Sequence, residues 1–280
     1  MNIRPLYMTL PVLLILALSA LPASAQSFSY DGNRWYEIEV SIFTNIVTAG
    51  NSEQVKPEAV TLEYLRPNRQ LVPAVSSFMI PFAEEGVLPG DPFRQDESPV
   101  PQTGPAPAPG PGGFKVADFT RDPFIALGSG QARFTRYNAN ISRSPEHRLL
   151  YHAVWRQPVL NRVQATAITV IAGDRYGSHN ELEGSLRFSY DVNRVDVEAR
   201  LWLSTFRRSA GAIGQWRLPP QPAAEQDNAT EEYIVASLAY LDQERAMVSN
   251  DLHYIDHPAM GILVEIRPYQ LPEPASLPFD

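Results

Sequence analysis

Residues 34–43, RWYEIEVSIF, alternate between polar and apolar with a period of two. Tyr36, Ile38, Val40 and Ile42 share one face, and Glu37, Glu39 and Ser41 share the other, which predicts a half-buried strand. A slip of one residue in pairing would turn the whole apolar set to solvent, so a segment like this is narrowly constrained in register. The same period returns in Leu182–Tyr190 (LEGSLRFSY) and Val195–Leu203 (VDVEARLWL), with turn-forming residues Asp191 to Arg194 between them. That is the pattern of a hairpin. Leu149–Trp155 is closed by Gln157-Pro158, Ala165–Ala172 is β-branched, and Tyr233–Leu241 and Gly261–Ile266 complete the set.

One segment follows a different period. Phe134, Tyr137 and Ile141 recur at spacings of three and four, which predicts a helix. It should stop before Ser144-Pro145, because the residue preceding a proline is pushed out of the helical region. About seven strands and one or two helices, without regular strand–helix alternation, predict an α+β fold with a largely antiparallel β-sheet. An outer-membrane barrel needs more and longer strands, with aromatic girdles and less proline.

Proline interrupts this pattern in one place. Residues 89–113 hold eight prolines and five glycines, so they predict a long, disordered Pro-rich insertion. Its reading as an exposed loop is preferred over a docking ligand for an aromatic groove.

The N-terminus reads as an address. Residues 1–25 carry Arg4, then an apolar run from Leu10 to Leu21, then Ala23-Ser24-Ala25. These are the parts of a secretory signal cleaved after Ala25. Pro11 and Pro22 cut the run short of the roughly 20 residues that a spanning helix needs, so no membrane span is expected after cleavage. The chain has no cysteine, which leaves no lipid attachment point and no disulfide, and favours a Gram-negative bacterial envelope protein over an animal secreted domain. The expected layout is a signal peptide over 1–25, a short lead over 26–33, one domain over 34–268 carrying the insertion, and an irregular tail over 269–280.

The formal charge is −8, and loss of Arg4 with the leader takes it to −9. Nucleic acid is excluded as a partner, since phosphate binding depends on Lys and Arg displacing counterions.

Chemistry-bearing residues are sparse. In His253-Tyr254-Ile255-Asp256-His257-Pro258, a helix would put both histidines on one face to chelate a metal, as in an envelope hydrolase using His253, Asp256 and His257. Pro258 opposes that helix. In an extended segment the histidines and Ile255 point one way and Tyr254 and Asp256 the other. A turn with Asp256 accepting local backbone bonds is the simpler expectation. No G-x-S-x-G is present, and Asp196 and Glu198 fall on the predicted solvent face of their strand. Neither a cofactor, a metal nor a catalytic residue is predicted. Trp155 with Arg156 offers an aromatic face and a guanidinium for a glycan, although packing is the commoner use of such a tryptophan.

Five blocks together resemble the CsiV family: Arg34–Phe43 (RWYEIEVSIF), Leu149–Val159 (LLYHAVWRQPV), Glu181–Phe188 (ELEGSLRF), Val197–Leu203 (VEARLWL) and Leu252–Ile266 (LHYIDHPAMGILVEI). The specific parts are H-x-x-W-x-Q-P and L-H-Y-x-D-H-P-x-x-G. The resemblance implies a non-enzymatic periplasmic protein that binds peptidoglycan and supports cell shape and cell-wall biogenesis. It also implies a link to the outer-membrane lipoprotein activator of a class A penicillin-binding protein. Members often carry an arginine-rich run before the L-H-Y block; here Arg245 to Asn250 keeps one arginine. The binding residues expected on this basis are His152, Trp155, Arg156 and Gln157, with His253, Tyr254, Asp256 and His257.

Overall fold

The computed structural model describes residues 33–46, 56–73, 118–211, 214–222 and 232–273. The expected leader, the Pro-rich insertion and the end of the tail lie outside the described residues. Those described all fall in one unit, Gly32–Asp280.

The period-two segments are strands, and they run longer than the sequence blocks: β1 (Trp35–Asn45), β5 (His147–Pro158), β6 (Ala167–Tyr176), β7 (His179–Asp191), β8 (Arg194–Arg208), β9 (Tyr233–Met247) and β11 (Met260–Tyr269). Short pieces add β2 (Asn68–Arg69), β3 (Val72–Pro73) and β4 (Ile125–Ala126), and Leu252–His257 forms β10. Two sheets result. Sheet one has the order β10-β11-β1-β5-β4-β3, and sheet two has β2-β6-β7-β8-β9. The long pairings are antiparallel; only β2–β6 and β3–β4 run parallel. Asp191 pairs with Arg194 at the β7–β8 turn, as the hairpin pattern required. The α+β, largely antiparallel expectation is met, with the strands divided between two sheets.

Alternation explains the core. Ile38, Val40 and Ile42 of β1 stand opposite Ile266, Val264 and Ile262 of β11 and point inward. Ile168, Leu186, Phe188, Val197, Leu201 and Leu241 of sheet two join them in one buried cluster. Each such side chain contributes roughly 1.5–3 kcal/mol by leaving water. Gly184 on β7 has φ +140°, and a Cβ there would lie 2.2 Å from the Arg200 carbonyl oxygen on β8. The close β7–β8 approach therefore requires glycine.

Both outer faces are covered as well. The helix α1 (Thr135–Arg143) packs beside β5 on the outside of sheet one and ends at Ser144, as the Ser144-Pro145 signal required. Its buried member is Asn138, whereas Tyr137 of the predicted apolar stripe is exposed. The reason is the surface beneath it: Ser41 Oγ donates to Asn138 Oδ1 at 2.7 Å, so a polar sheet face selects a polar helix residue. On sheet two, Trp202, Leu238 and Tyr64 form a second buried cluster with Leu62, Trp216 and Leu218 against it. Asp196 and Glu198 do lie on the outer face, yet both are buried there under arginine side chains.

Candidate functional site

His152 and Arg156, two of the expected binding residues, stand on the outer face of sheet one, inside a layer of charge. Cross-strand register brings Glu37 opposite both Arg267 and Arg156, and Glu39 opposite Glu265. Arg156 Nη2 donates to Glu37 Oε2 at 2.7 Å, and Arg267 Nη2 donates to Glu37 Oε1 at 2.9 Å. Arg267 Nη1 reaches Glu265 at 2.9 Å and Glu39 at 3.4 Å. Guanidiniums and carboxylates therefore alternate across three strands.

Glu39 is the hub. It is 0% exposed, and it accepts from His152 Nε2 at 3.0 Å and from the backbone N–H groups of Arg133 and Phe134 at the entrance to α1. A carboxylate at that end of a helix also meets the positive end of its dipole. Burial works to raise the Glu39 pKa; the His152 bond, the two backbone bonds and the Arg267 charge overcome it and hold the carboxyl below its usual range. Burial likewise opposes the charge on Arg267, and its hydrogen bond to Glu37 with three surrounding carboxylates outweighs that. His152 and Arg156 thus act on the fold through Glu39 and Glu37, and Arg156 also stacks 4.1 Å from the centroid of the Tyr269 ring.

Trp155 and Gln157 lie on the opposite, core-facing side. Trp155 is fully buried, edge-on to Phe188 at 5.8 Å, and its Nε1–H donates to Gln157 Oε1 at 2.8 Å. Gln157 satisfies the indole that alternation drives into the core.

The His253–His257 block is strand β10 and the turn into β11. Alternation holds, so the two histidines do not converge with Asp256. His253 Nε2 accepts the Val248 N–H at 2.9 Å. His257 Nδ1 accepts the Ala259 N–H at 3.1 Å, and burial lowers the His257 pKa against the pull of Asp256. Asp256 accepts from the Tyr254 hydroxyl at 2.7 Å rather than from backbone, so the local backbone bond at this turn belongs to His257. Among the described residues, no group of three His, Asp or Glu side chains is placed to hold a metal.

Gly261 completes this hairpin. The Phe43 and Tyr254 rings lie parallel at 6.3 Å, and a Cβ on Gly261 would come within 2.4 Å of Phe43 and 2.8 Å of Tyr254. The L-H-Y-x-D-H-P-x-x-G pattern therefore has a folding explanation at its tyrosine, its second histidine and its glycine. Arg245, the one arginine kept before it, donates to the Tyr254 carbonyl at 2.7 Å and ties β9 to β10.

The eight residues thus separate into two on the charged outer face of β5 (His152, Arg156), two in the core (Trp155, Gln157), two turn-holding histidines (His253, His257) and an exposed surface pair (Tyr254, Asp256). Sequence reasoning missed Glu37, Glu39, Glu265 and Arg267. The available signal was the pair of strand triplets Glu37-Ile38-Glu39 and Glu265-Ile266-Arg267, whose complementarity shows only once they are paired. Glu183 on β7, a carboxylate whose residue type would suit acid–base work, is 0% exposed and accepts from Tyr64, His179, Asn180 and Gln221. Beside the charged layer, where β1 starts and β11 ends, an open groove of about 540 Å³ is lined by Asn33, Arg34, Trp35, Tyr36, Tyr269 and Gln270, among others.

A family model described as "Peptidoglycan-binding protein, CsiV" matches residues 8–269. The chain belongs to the CsiV family. That match spans every strand described above and includes all eight expected binding residues. No curated protein and no solved structure matches. Among the described residues of this CsiV-family chain, no helix is long and apolar enough to cross a membrane.

Proposed function

We propose that this protein is a non-enzymatic periplasmic accessory factor that binds peptidoglycan and supports a class A penicillin-binding protein through its outer-membrane lipoprotein activator. Membership of a family described as peptidoglycan-binding, over residues 8–269, is the observation that carries this reading. The leader-like residues 1–25, with cleavage after Ala25, supply the compartment. The side chains best suited to acid–base work support a binding role rather than chemistry: Glu39, Glu183, His253 and His257 are each engaged in holding strands, turns or covering segments together. Of the eight residues expected from sequence, Tyr254, Asp256 and His152 are exposed to a ligand, and the other five act by fixing the surface.

Co-sedimentation of the purified chain with isolated sacculi tests the first part. Retention that saturates with protein concentration supports it; retention no greater than that of serum albumin overturns direct peptidoglycan binding. The activator link is tested separately, by measuring glycan polymerisation by the synthase with its lipoprotein, with and without this protein. An unchanged rate together with no measurable complex would remove that part.

A further inference from the structure

The outer surface of α1 carries more positive charge than the fold uses. In a chain with a formal charge of −8, residues 123–145 contain no Asp or Glu but include Arg133, Arg136 and Arg143. At about 100° per residue, Arg136, Asn140 and Arg143 fall on the side of the helix turned away from buried Asn138, and all three are exposed. Arg136 and Arg143 meet no carboxylate among the described residues. Arg133, its side chain 63% exposed, bonds to Glu265 through Nη1 alone. A cation in the last turn of a helix is favoured by the dipole, which accounts for Arg143; Arg136 lies in the first turn, where the dipole disfavours it. An arginine kept there without a carboxylate calls for a reason outside the fold. Tyr137, 47% exposed, follows Arg136 and sets its ring edge-on against buried Phe134 at 5.9 Å. Register places the helix among the exposed residues of sheet one. Tyr254, Leu263, Ser41 and His152 form one row across four strands, and Ser41 donates to Asn138, so α1 crosses that row between Tyr254 and His152.

We propose that peptidoglycan docks on the exposed face of α1, with Arg136 and Arg143 each taking a stem-peptide carboxylate and Tyr137 lying against a sugar ring. Stem peptides carry free carboxylates, and a guanidinium binds a carboxylate through two parallel N–H···O bonds. At 1.5 Å per residue the two arginines stand about 10 Å apart along the helix axis, so they reach two carboxylates rather than one. Sugar C–H faces pack on aromatic rings, and Phe134 holds the Tyr137 ring in place beforehand, which lowers the entropy lost on binding. Each exposed ionic contact is weak alone, because water and salt screen it. Once one carboxylate is held, however, the next on the same polymer arrives at high effective concentration. A polymer also suits a convex helix face, whereas a small molecule needs a cleft. The net negative charge of the chain favours approach of an acidic polymer on this basic face. The assignment rests on the peptidoglycan-binding reading and adds a location and a ligand chemistry to it.

The experiment uses the purified full chain with isolated sacculi, comparing wild type, Arg136→Gln/Arg143→Gln and Arg207→Gln/Arg217→Gln. The second pair is the control: it removes the same charge from exposed arginines on β8 and in the coil beyond it. Glutamine keeps a high helix propensity, so α1 should persist, and circular dichroism checks that it does. The α1 pair is expected to raise the Kd at least fivefold and the control pair to leave it within twofold. If wild type binds and a folded α1 variant binds within twofold of it, the assignment is overturned while peptidoglycan binding stands. Equal losses in the two variants overturn it in favour of general charge attraction. If wild type does not sediment, the functional reading falls and takes the assignment with it. A second measurement alters the ligand instead of the protein. Sacculi with their carboxyl groups amidated should bind wild type at least fivefold more weakly than intact sacculi do; undiminished binding would overturn the carboxylate contacts. Phosphatidylglycerol vesicles supply the last arm. Wild-type binding to them that is lost in the α1 variant, with sacculus binding unchanged, assigns this face to anionic lipid and overturns the proposal.

Discussion

Each sheet buries one carboxylate completely on its outer face, and the two do so differently. Glu39 on sheet one and Glu183 on sheet two are both 0% exposed, both face a histidine, and both receive backbone N–H groups. Around Glu39 the other partner is a guanidinium, Arg267, itself only 4% exposed. Around Glu183 the other partners are the Tyr64 hydroxyl and the Gln221 amide, which come from the coil segments laid over sheet two. A buried charge facing a buried opposite charge is costly to break, because removing one leaves the other stranded. A buried charge held by neutral donors strands only groups that water can serve more readily. The same residue type thus holds the start of a helix on one face while ion-paired within its own sheet, and a coil on the other by hydrogen bonding alone.

The largest effect is expected at the first site. Glu39→Ala leaves Arg267 and the Phe134 N–H short of an acceptor and should lower unfolding free energy by about 3–5 kcal/mol. Urea denaturation checks it, and a loss under about 1 kcal/mol would show that the charged layer contributes little. Glu183→Ala should cost less, about 1–3 kcal/mol, with loss of order around Gln221 visible as faster amide exchange. Equal losses at the two sites would erase the distinction between ion-paired and hydrogen-bonded carboxylates.

Acid separates charge from shape. Glu39 has a lowered folded pKa, so its contribution is complete above the unfolded carboxylate value of about 4.3 and is lost as pH falls through the folded value. The stability gap between wild type and Glu39→Gln should therefore narrow on going from pH 6 to pH 3. A gap that stays constant would mean that the carboxylate acts by shape alone. The smallest effect belongs to the outer rim of sheet two, where Arg162 Nη1 meets Glu244 at 2.6 Å with both side chains about half exposed. Arg162→Ala should change stability by less than about 1 kcal/mol. A larger loss would show that Arg162 acts chiefly through the buried Glu198, which it also meets at 3.1 Å.

Much of the fold was legible because alternation is local. Ile38, Val40 and Ile42 declare their face without knowing their partners, and Ser144-Pro145 stops α1 by sterics alone. What was hidden depends on pairing across long stretches of chain. Glu39 and Ser41 read as solvent-facing because nothing near them in sequence announces that residues 133–138 will cover them. Strand β10 read as a turn because Pro258 and two histidines mask a six-residue strand that exists through β11. The candidate site divides the same way. The L-H-Y-x-D-H-P-x-x-G block was found as a motif, while its use of Gly261 to admit two rings is visible only in three dimensions. Trp155 beside Arg156 suits a sugar platform or packing alike in sequence, and its pairing with Gln157 in the core fits packing.

The first strand of the domain is central in sheet one, held between β5 and β11. Trp35 pairs with Tyr269, so one side of β1 finds its partner only across most of the chain. Contacts that far apart form slowly, since a long loop must close before they return anything. A chain made from its N-terminus therefore carries an unmatched strand until β11 is complete. Assembly of this sheet waits for the far end of the chain to be made.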